Sequence, residues 1–501
     1  MLAGLPQGGA SAQDQGRPAA KPCYLDGLKD AVDCYRFDLP LHHAGPGAET
    51  VSVFAAVLPA RSARPQPDPL VILAGGPGQA ASELAPLVDR IFDAVRDSRD
   101  IVLIDQRGTG RSTPLQCDLE TDVNSLSALT DAVRACRAGF DLDVAAFTQE
   151  NAVQDFRAVL DRLGYGSVNL WGGSYGTRVI SHYVKRFPDH VRAFIADSIA
   201  PPDRKLFRFA PKAAGRAMDR LLADCAAFEP CRDRYPDLGD RLDRLMDRAA
   251  AGELAFSGPD PMTRDVDTQP LPLFLVANGL RGALYQMEGT ATLPYVIARA
   301  AEGDLTPLAG LFSEGRVLPH QPLYFGATLS VLCGDELDRI TAEEARAAGR
   351  DSFTRGSFYE FWAAACAGWD YTPFSRLPAD QAEPLESDLP ALLLSGDLDP
   401  ITPPDMGAHL LGGLENGAHK VVPGTGHIAS TVPCVGDAIV RFLAEPDARA
   451  AFDGGDDDSP DCAGTRARLK PFLGPNGRTV PAPEPPEASD KAVLIGMEAR
   501  P

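Results

Sequence analysis

The sequence predicts an α/β fold, a mostly parallel, doubly wound sheet with a mainly helical domain inserted after strand six. Three observations carry this reading. Up to residue 200, short apolar runs alternate with segments of helical periodicity. Between about Pro201 and Glu386 the strand pattern stops, and Ala-, Leu- and Arg-rich helical segments such as Ala213–Phe228 and Leu238–Ala251 replace it. At Pro390–Leu394 (PALLL) the strand pattern resumes. The implied organisation is a flexible segment (1–33), a first part of the core (34–200), a helical cap (201–386), a second part of the core (387–446) and an acidic, proline-rich extension (447–501).

Residues 1–22 are small and polar and read as disordered. Val51–Leu58 is a strand of an opening antiparallel ribbon. Pro69–Ala74 is a buried strand running into Gly75-Gly76-Pro77-Gly78. A helix follows, its apolar residues Leu84, Leu87, Ile91, Phe92 and Val95 suitably spaced. Ile101–Ile104 is the next strand, ending in DQRGTGRS (Asp105–Ser112), and residues 113–148 read as an irregular excursion. Glu150–Leu163 forms an amphipathic helix, Val168–Trp171 a strand, Thr177–Phe187 a helix and Val191–Ala196 a strand. Past Leu443 the composition turns acidic and proline-rich (Asp453–Asp458, Pro481–Pro486), as in an extended tail.

The formal net charge is −21, and no basic block offsets phosphate repulsion, so nucleic-acid binding is excluded as a function. No run of 18 apolar residues is present, so no membrane span is expected. Ten cysteines fall in order into the neighbours Cys23 and Cys34, Cys117 and Cys136, Cys225 and Cys231, Cys333 and Cys366, and Cys434 and Cys462. None forms a Cys-x-x-Cys pattern, so disulfides of a periplasmic or secreted protein are expected; sequence alone leaves their pairing open. Ala10-Ser11-Ala12 resembles a signal-peptidase site, but the nine residues before it are too short and glycine-rich for a whole signal peptide, which suggests a truncated start.

The chemistry is carried by Gly172-Gly173-Ser174-Tyr175-Gly176, a G-x-S-x-G between a predicted strand and a predicted helix. A tight turn there lifts a serine hydroxyl above the carboxyl edge of a sheet. Serine is a poor nucleophile and needs a base oriented by an acid. In folds built around such a turn the acid and then the histidine follow the serine. The strand Leu392–Leu394 ends in SGDLDPITP, where Asp399, deeper in the loop, is favoured over Asp397. Of eight histidines, only His427, in Gly424-Thr425-Gly426-His427 after the apolar pair Val421-Val422, falls in the expected loop. An oxyanion hole needs two backbone N–H groups. Tyr175 supplies one, and Gly76 is the better candidate for the other, with Gly75 second, because Pro77 has no N–H. No metal or other cofactor is called for.

Taken jointly, LAGGPGQ, DQRGTGRS, GGSYGT, SGDLDPITP and GTGH resemble the proline iminopeptidase and tripeptidyl aminopeptidase family of α/β-hydrolases. So do Thr148–Leu163 before Gly164-Tyr165, Cys225–Cys231 with Arg234-Tyr235-Pro236, and Cys333 and Cys366 followed by Trp369. The resemblance spans roughly residues 50–445. It implies the α/β-hydrolase fold, Ser174, Asp399 and His427 as the triad, and a serine exopeptidase that takes peptides from their free amino termini. The chain departs from the family where a histidine usually opens the glycine loop and Ala74 stands instead. In the family, cap carboxylates read the substrate ammonium. Asp335 and Glu336 are the candidates here, a plain surface acidic pair being the alternative. Arg107 and Arg111 are expected to tie loops beneath the site. A carboxylesterase using the same triad is the rival reading.

Overall fold

The computed structural model describes residues 17–44, 48–117, 124–259, 266–285, 287–311, 323–369, 371, 376–452 and 470–474. Strands β1 (Lys21–Cys23), β2 (Val32–Pro40), β3 (Thr50–Leu58), β4 (Leu70–Leu73), β5 (Ile101–Ile104), β6 (Val168–Gly173) and β7 (Val191–Asp197) precede the insertion. The insertion carries a hairpin, β8 (Ala255–Pro259) with β9 (Val266–Pro270), among helices. β10 (Ala391–Gly396) and β11 (Gly417–Val422) follow it.

The main sheet runs β1-β2-β3-β5-β4-β6-β7-β10-β11. β1 to β5 join antiparallel as far as the β3–β5 pair, and every pairing beyond is parallel. Composition explains the division. β4 (LVIL) and β5 (IVLI) are buried on both faces, the pattern of strands covered by helices on each side, whereas β2 keeps polar residues at exposed positions. One apolar cluster lies on each face of the sheet, and a third, around Leu245, Met246, Val276 and Leu293, gives the insertion its own core. The chain therefore has the α/β-hydrolase fold.

Four details differ from the sequence reading. The insertion follows a seventh strand, because β1 pairs with β2 and adds one ahead of the expected ribbon. The segment expected to be flexible (1–33) is fixed from Arg17 onward. The Arg17 guanidinium lies over the rings of Tyr35 and Tyr165, and Cys23 is bonded to Cys34. The supposedly irregular excursion contains helix Leu126–Arg137, capped by Ser125 and burying Leu129 and Val133. The helix expected after the glycine loop is broken into a 3-10 turn (Ser82–Leu84), an α-helix (Ala85–Ile91) and a second 3-10 turn (Asp93–Asp97). The acidic and proline runs of the tail lie outside the described residues. Its described part, 470–474, docks on the insertion, where the Phe472 N–H donates to the Ala291 carbonyl at 2.8 Å.

Disulfides join Cys23 to Cys34, Cys117 to Cys136, Cys225 to Cys231 and Cys333 to Cys366. The fifth expected pair, Cys434 with Cys462, reaches outside the described residues. Among the described residues no helix is long and apolar enough to cross a membrane. Cross-links restrict the unfolded chain more the longer the loop they close, with the logarithm of its length. The Cys333→Ala/Cys366→Ala double variant, opening a link across 33 residues, should lose roughly 3–4 kcal/mol in urea unfolding. Cys225→Ala/Cys231→Ala, across 6, should lose about 2 kcal/mol.

Candidate active site

Strand order decides where the chemistry lies. β4 has β5 on one side and β6 on the other, so the winding of the sheet reverses at β4 and opens a crevice at the carboxyl edge. Leu73 pairs with Gly172, so the loop after β4 and the turn after β6 leave the sheet side by side.

Ser174 stands between β6 and helix Tyr175–Arg186 with φ 58° and ψ −123°, a left-handed backbone that a serine keeps only where its surroundings enforce it. Its flanking glycines allow this. A Cβ on Gly172 would stand 2.5 Å from the Gly176 carbonyl oxygen, and one on Gly176 would collide with the Leu73 carbonyl. The Ser174 N–H donates to the Asp197 carbonyl at 2.9 Å, and the Thr177 hydroxyl donates to the Ser174 carbonyl at 2.6 Å. Tyr175 opens the helix, which puts its N–H at the positive end. A Cβ on Gly75 would lie 3.2 Å from the Ser174 Cβ, so the Gly75–Gly76 turn, with Gly76 at φ 104°, hangs beside the serine.

Asp399 and His427 meet. The imidazole Nδ1 lies 2.9 Å from Asp399 Oδ2, with the carboxylate fully buried. The same carboxylate accepts from the N–H groups of Ile401 and Thr402, each at 2.9 Å, and from the Thr402 hydroxyl at 2.8 Å. Burial alone would raise its pKa, but the imidazole and these donors outweigh burial and hold it below the ordinary carboxylate range. For His427 burial opposes the charged ring, yet Asp399 prevails and raises its pKa above the usual 6.5. Asp397 lines a cavity of about 350 Å³ together with Leu221, Phe228, Leu284 and Met287.

Asp197 ties these parts together, and the sequence reading ended its strand one residue short of it. Its carbonyl holds Ser174, while its buried carboxylate accepts from Ala429 N at 2.8 Å and Ser430 N at 2.7 Å, just beyond His427. Ser198 Oγ accepts from Ile428 N at 2.8 Å. An aspartate closing the buried run FIAD was the available signal. The insertion also touches the site. Tyr285 sets its ring edge-on to His427 at 5.3 Å, Leu323 lies against Gly76, Thr328 donates to the Pro77 carbonyl at 2.7 Å, and Arg216 donates to the Asp399 carbonyl at 3.0 Å. No local pattern marks these residues, which lie far from the motifs in sequence.

Asp335 and Glu336 are not a surface pair. They sit on a π-helical turn, Leu332–Glu336, and are 1% and 0% exposed. Glu336 is salt-bridged to Arg178 and lies 3.7 Å from Arg339, so its charge is matched within the protein. Asp335 accepts from Gln149 N at 3.4 Å through one oxygen, and its other oxygen has no partner. Burial pushes its pKa up to about 7. Arg107 forks onto Asp155 with two bonds of 2.7 Å and also donates to the carbonyls of Pro40 and Ala146, each at 3.0 Å. Arg111 donates to the Tyr24 carbonyl at 3.2 Å. Both arginines tie loops, as expected.

A serine on a strained strand-to-helix turn, with an aspartate–histidine pair on the loops after the last two strands, defines a hydrolase of the α/β-hydrolase fold. Residues 68–234 match the α/β-hydrolase fold family, and residues 354–455 match the family of TAP-like proteins. Among curated relatives, the serine protease Hip1 of Mycobacterium tuberculosis is 25% identical over 459 residues, 82% of this chain and 84% of the relative. The tripeptidyl aminopeptidase of Streptomyces lividans is 24% identical over 258 residues, 46% of this chain and 48% of its own. A solved proline iminopeptidase from Mycobacterium smegmatis is 16% identical with a TM-score of 0.39, covering 83% of this chain and 100% of that one. The matched family models and the curated relatives bear out the resemblance read from the motifs.

The ion pair makes a spectroscopic prediction. By NMR, His427 should titrate above 6.5, and Asp399→Asn should move its pKa down, because the group that favours the charged ring is gone.

Proposed function

We propose that the chain is a serine aminopeptidase that cleaves peptides from the free amino terminus through an acyl-enzyme. The observation that carries this is the 2.9 Å contact of His427 with Asp399 on the loops that Asp197 locks to Ser174. Nδ1 donates to Asp399, which leaves Nε2 to take the Ser174 proton as Oγ attacks the scissile carbonyl. The N–H groups of Tyr175 and Gly76 receive the negative charge that develops on the carbonyl oxygen. His427 then protonates the leaving amine, and water, activated by the same ring, releases the acyl group.

Relatives named as a serine protease and as aminopeptidases support peptides over other acyl substrates. For the substrate ammonium we assign Asp335 alone, since Glu336 is matched by two arginines while Asp335 keeps one oxygen without a partner. The four disulfides among the described residues support an oxidising compartment, periplasmic or external. One observation favours the esterase alternative. Buried Phe274 and the half-buried rings Phe361, Trp362 and Phe325 form a chain of contacts, at 5.9, 5.1 and 5.7 Å, that would suit an apolar acyl group.

Hydrolysis of proline, alanine and tripeptide arylamides, with free and acetylated amino termini, tests the proposal beside a short-chain nitrophenyl ester. Free-amine peptides should be cleaved, acetylation should abolish cleavage, and Ser174→Ala should lower the rate by about 10⁴-fold or more. Asp335→Asn should shrink the gap between free and acetylated substrates. Turnover of the ester alone would overturn the peptidase reading.

A further inference from the structure

Helix Leu273–Ala283 places a buried cation beside the catalytic histidine, and none of the chemistry above uses it. Arg281 is 7% exposed. Its Nη1 donates to the Tyr285 hydroxyl at 3.1 Å, and its guanidinium lies 5.7 Å from the Tyr285 ring and 5.0 Å from the Phe358 ring. Tyr285 in turn stands over His427. No carboxylate among the described residues forms an ion pair with Arg281, and its Nε has no hydrogen-bond partner. Every other buried arginine near the site is matched: Arg107 by Asp155, Arg178 by Glu336. A charge withdrawn from water without a counter-ion is unfavourable and calls for a partner from outside. The rings offer their faces but no net charge.

We infer that Arg281 is a substrate-binding residue that pairs with the carboxylate at the carboxyl terminus of a short peptide. The inference rests on the aminopeptidase reading of this site. His427 protonates the leaving amine, so a group lying beyond His427 faces the leaving fragment, not the acyl part. Two ring contacts, of 5.3 and 5.7 Å, bridge His427 to the guanidinium. A leaving fragment of one to three residues, at about 3.3–3.6 Å per residue, brings its terminal carboxylate across that span. The guanidinium fork matches a carboxylate in shape and charge. Occupation also helps the reaction, because an unmatched cation opposes the imidazolium that forms on His427 and a bound carboxylate cancels it. The substrates selected are thus free peptides of a few residues rather than the ends of long chains.

The test uses binding first, so that it does not depend on turnover. Calorimetry on Ser174→Ala measures a free-amine tetrapeptide with a carboxylate end against its carboxyl-terminal amide. The acid should bind about 10- to 100-fold more tightly, as expected for a buried charge-assisted pair. Adding Arg281→Met should bring the ratio near one, and Arg281→Lys should keep part of it, which separates loss of charge from loss of packing. In the active protein the same preference should appear in KM more than in kcat. Equal binding of acid and amide by Ser174→Ala, or an undiminished preference in Arg281→Met, would overturn the assignment. Arylamide hydrolysis that survives Ser174→Ala would instead overturn the serine-hydrolase reading and leave the binding result to stand by itself.

Discussion

The left-handed backbone at Ser174 is the constraint from which the rest follows. No serine adopts φ 58° for its own sake. The conformation persists because the strand before it and the helix after it are pressed together where Gly172, Gly176 and the Leu73 carbonyl meet, with no space for a side chain. That closeness puts a hydroxyl at the sheet edge and a helix amino terminus beside it. It also lets the glycine loop after β4 reach the serine, since β4 and β6 are paired neighbours. Strain at one residue is thereby spread over two strands and a helix that are almost wholly buried.

Buried charge is handled in two ways around this turn. Asp399 and Asp197 are satisfied by backbone N–H groups, which turns each carboxylate into a clamp on a loop. Asp399 orients the imidazole, and Asp197 fixes the loop that carries it. Arg178 and Arg107 are matched by carboxylates inside the protein, where the loss of one partner would leave an isolated charge. Asp335 and Arg281 break this pattern, since among the described residues neither is in an ion pair and each has a polar atom without a hydrogen-bond partner. The two therefore stand out as groups with capacity for a ligand.

Most of the core architecture was legible because it depends on local pattern. Doubly buried strands read as short apolar runs, and the elbow, the acid loop and the histidine loop have compositions that few other turns share. Of the two aspartates weighed in sequence, Asp399 lies within 2.9 Å of His427, whereas Asp397 lines the cavity. What the pattern misled on was context. Helix Leu126–Arg137 hid in a stretch broken by polar residues, and β1 is too short to register without its partner β2 and the Cys23–Cys34 link. In sequence Asp335 and Glu336 read either as ammonium-binding carboxylates or as a surface acidic pair, because the arginine that matches Glu336 comes from the elbow helix, 158 residues away.

By itself, then, the sequence determined the alternation of strands and helices, the tight turn at Ser174 and the order in which Asp399 and His427 follow it, all of which rest on backbone preferences and side-chain types within a few residues. Tertiary structure alone decided which charges are matched and which are left over. Asp197 became a brace, Glu336 an internal counter-ion and Arg281 an unpaired cation beside His427 only when distant segments were packed together. The reason is physical: the energy of a buried charge depends on what surrounds it in space, and chain order does not encode those surroundings.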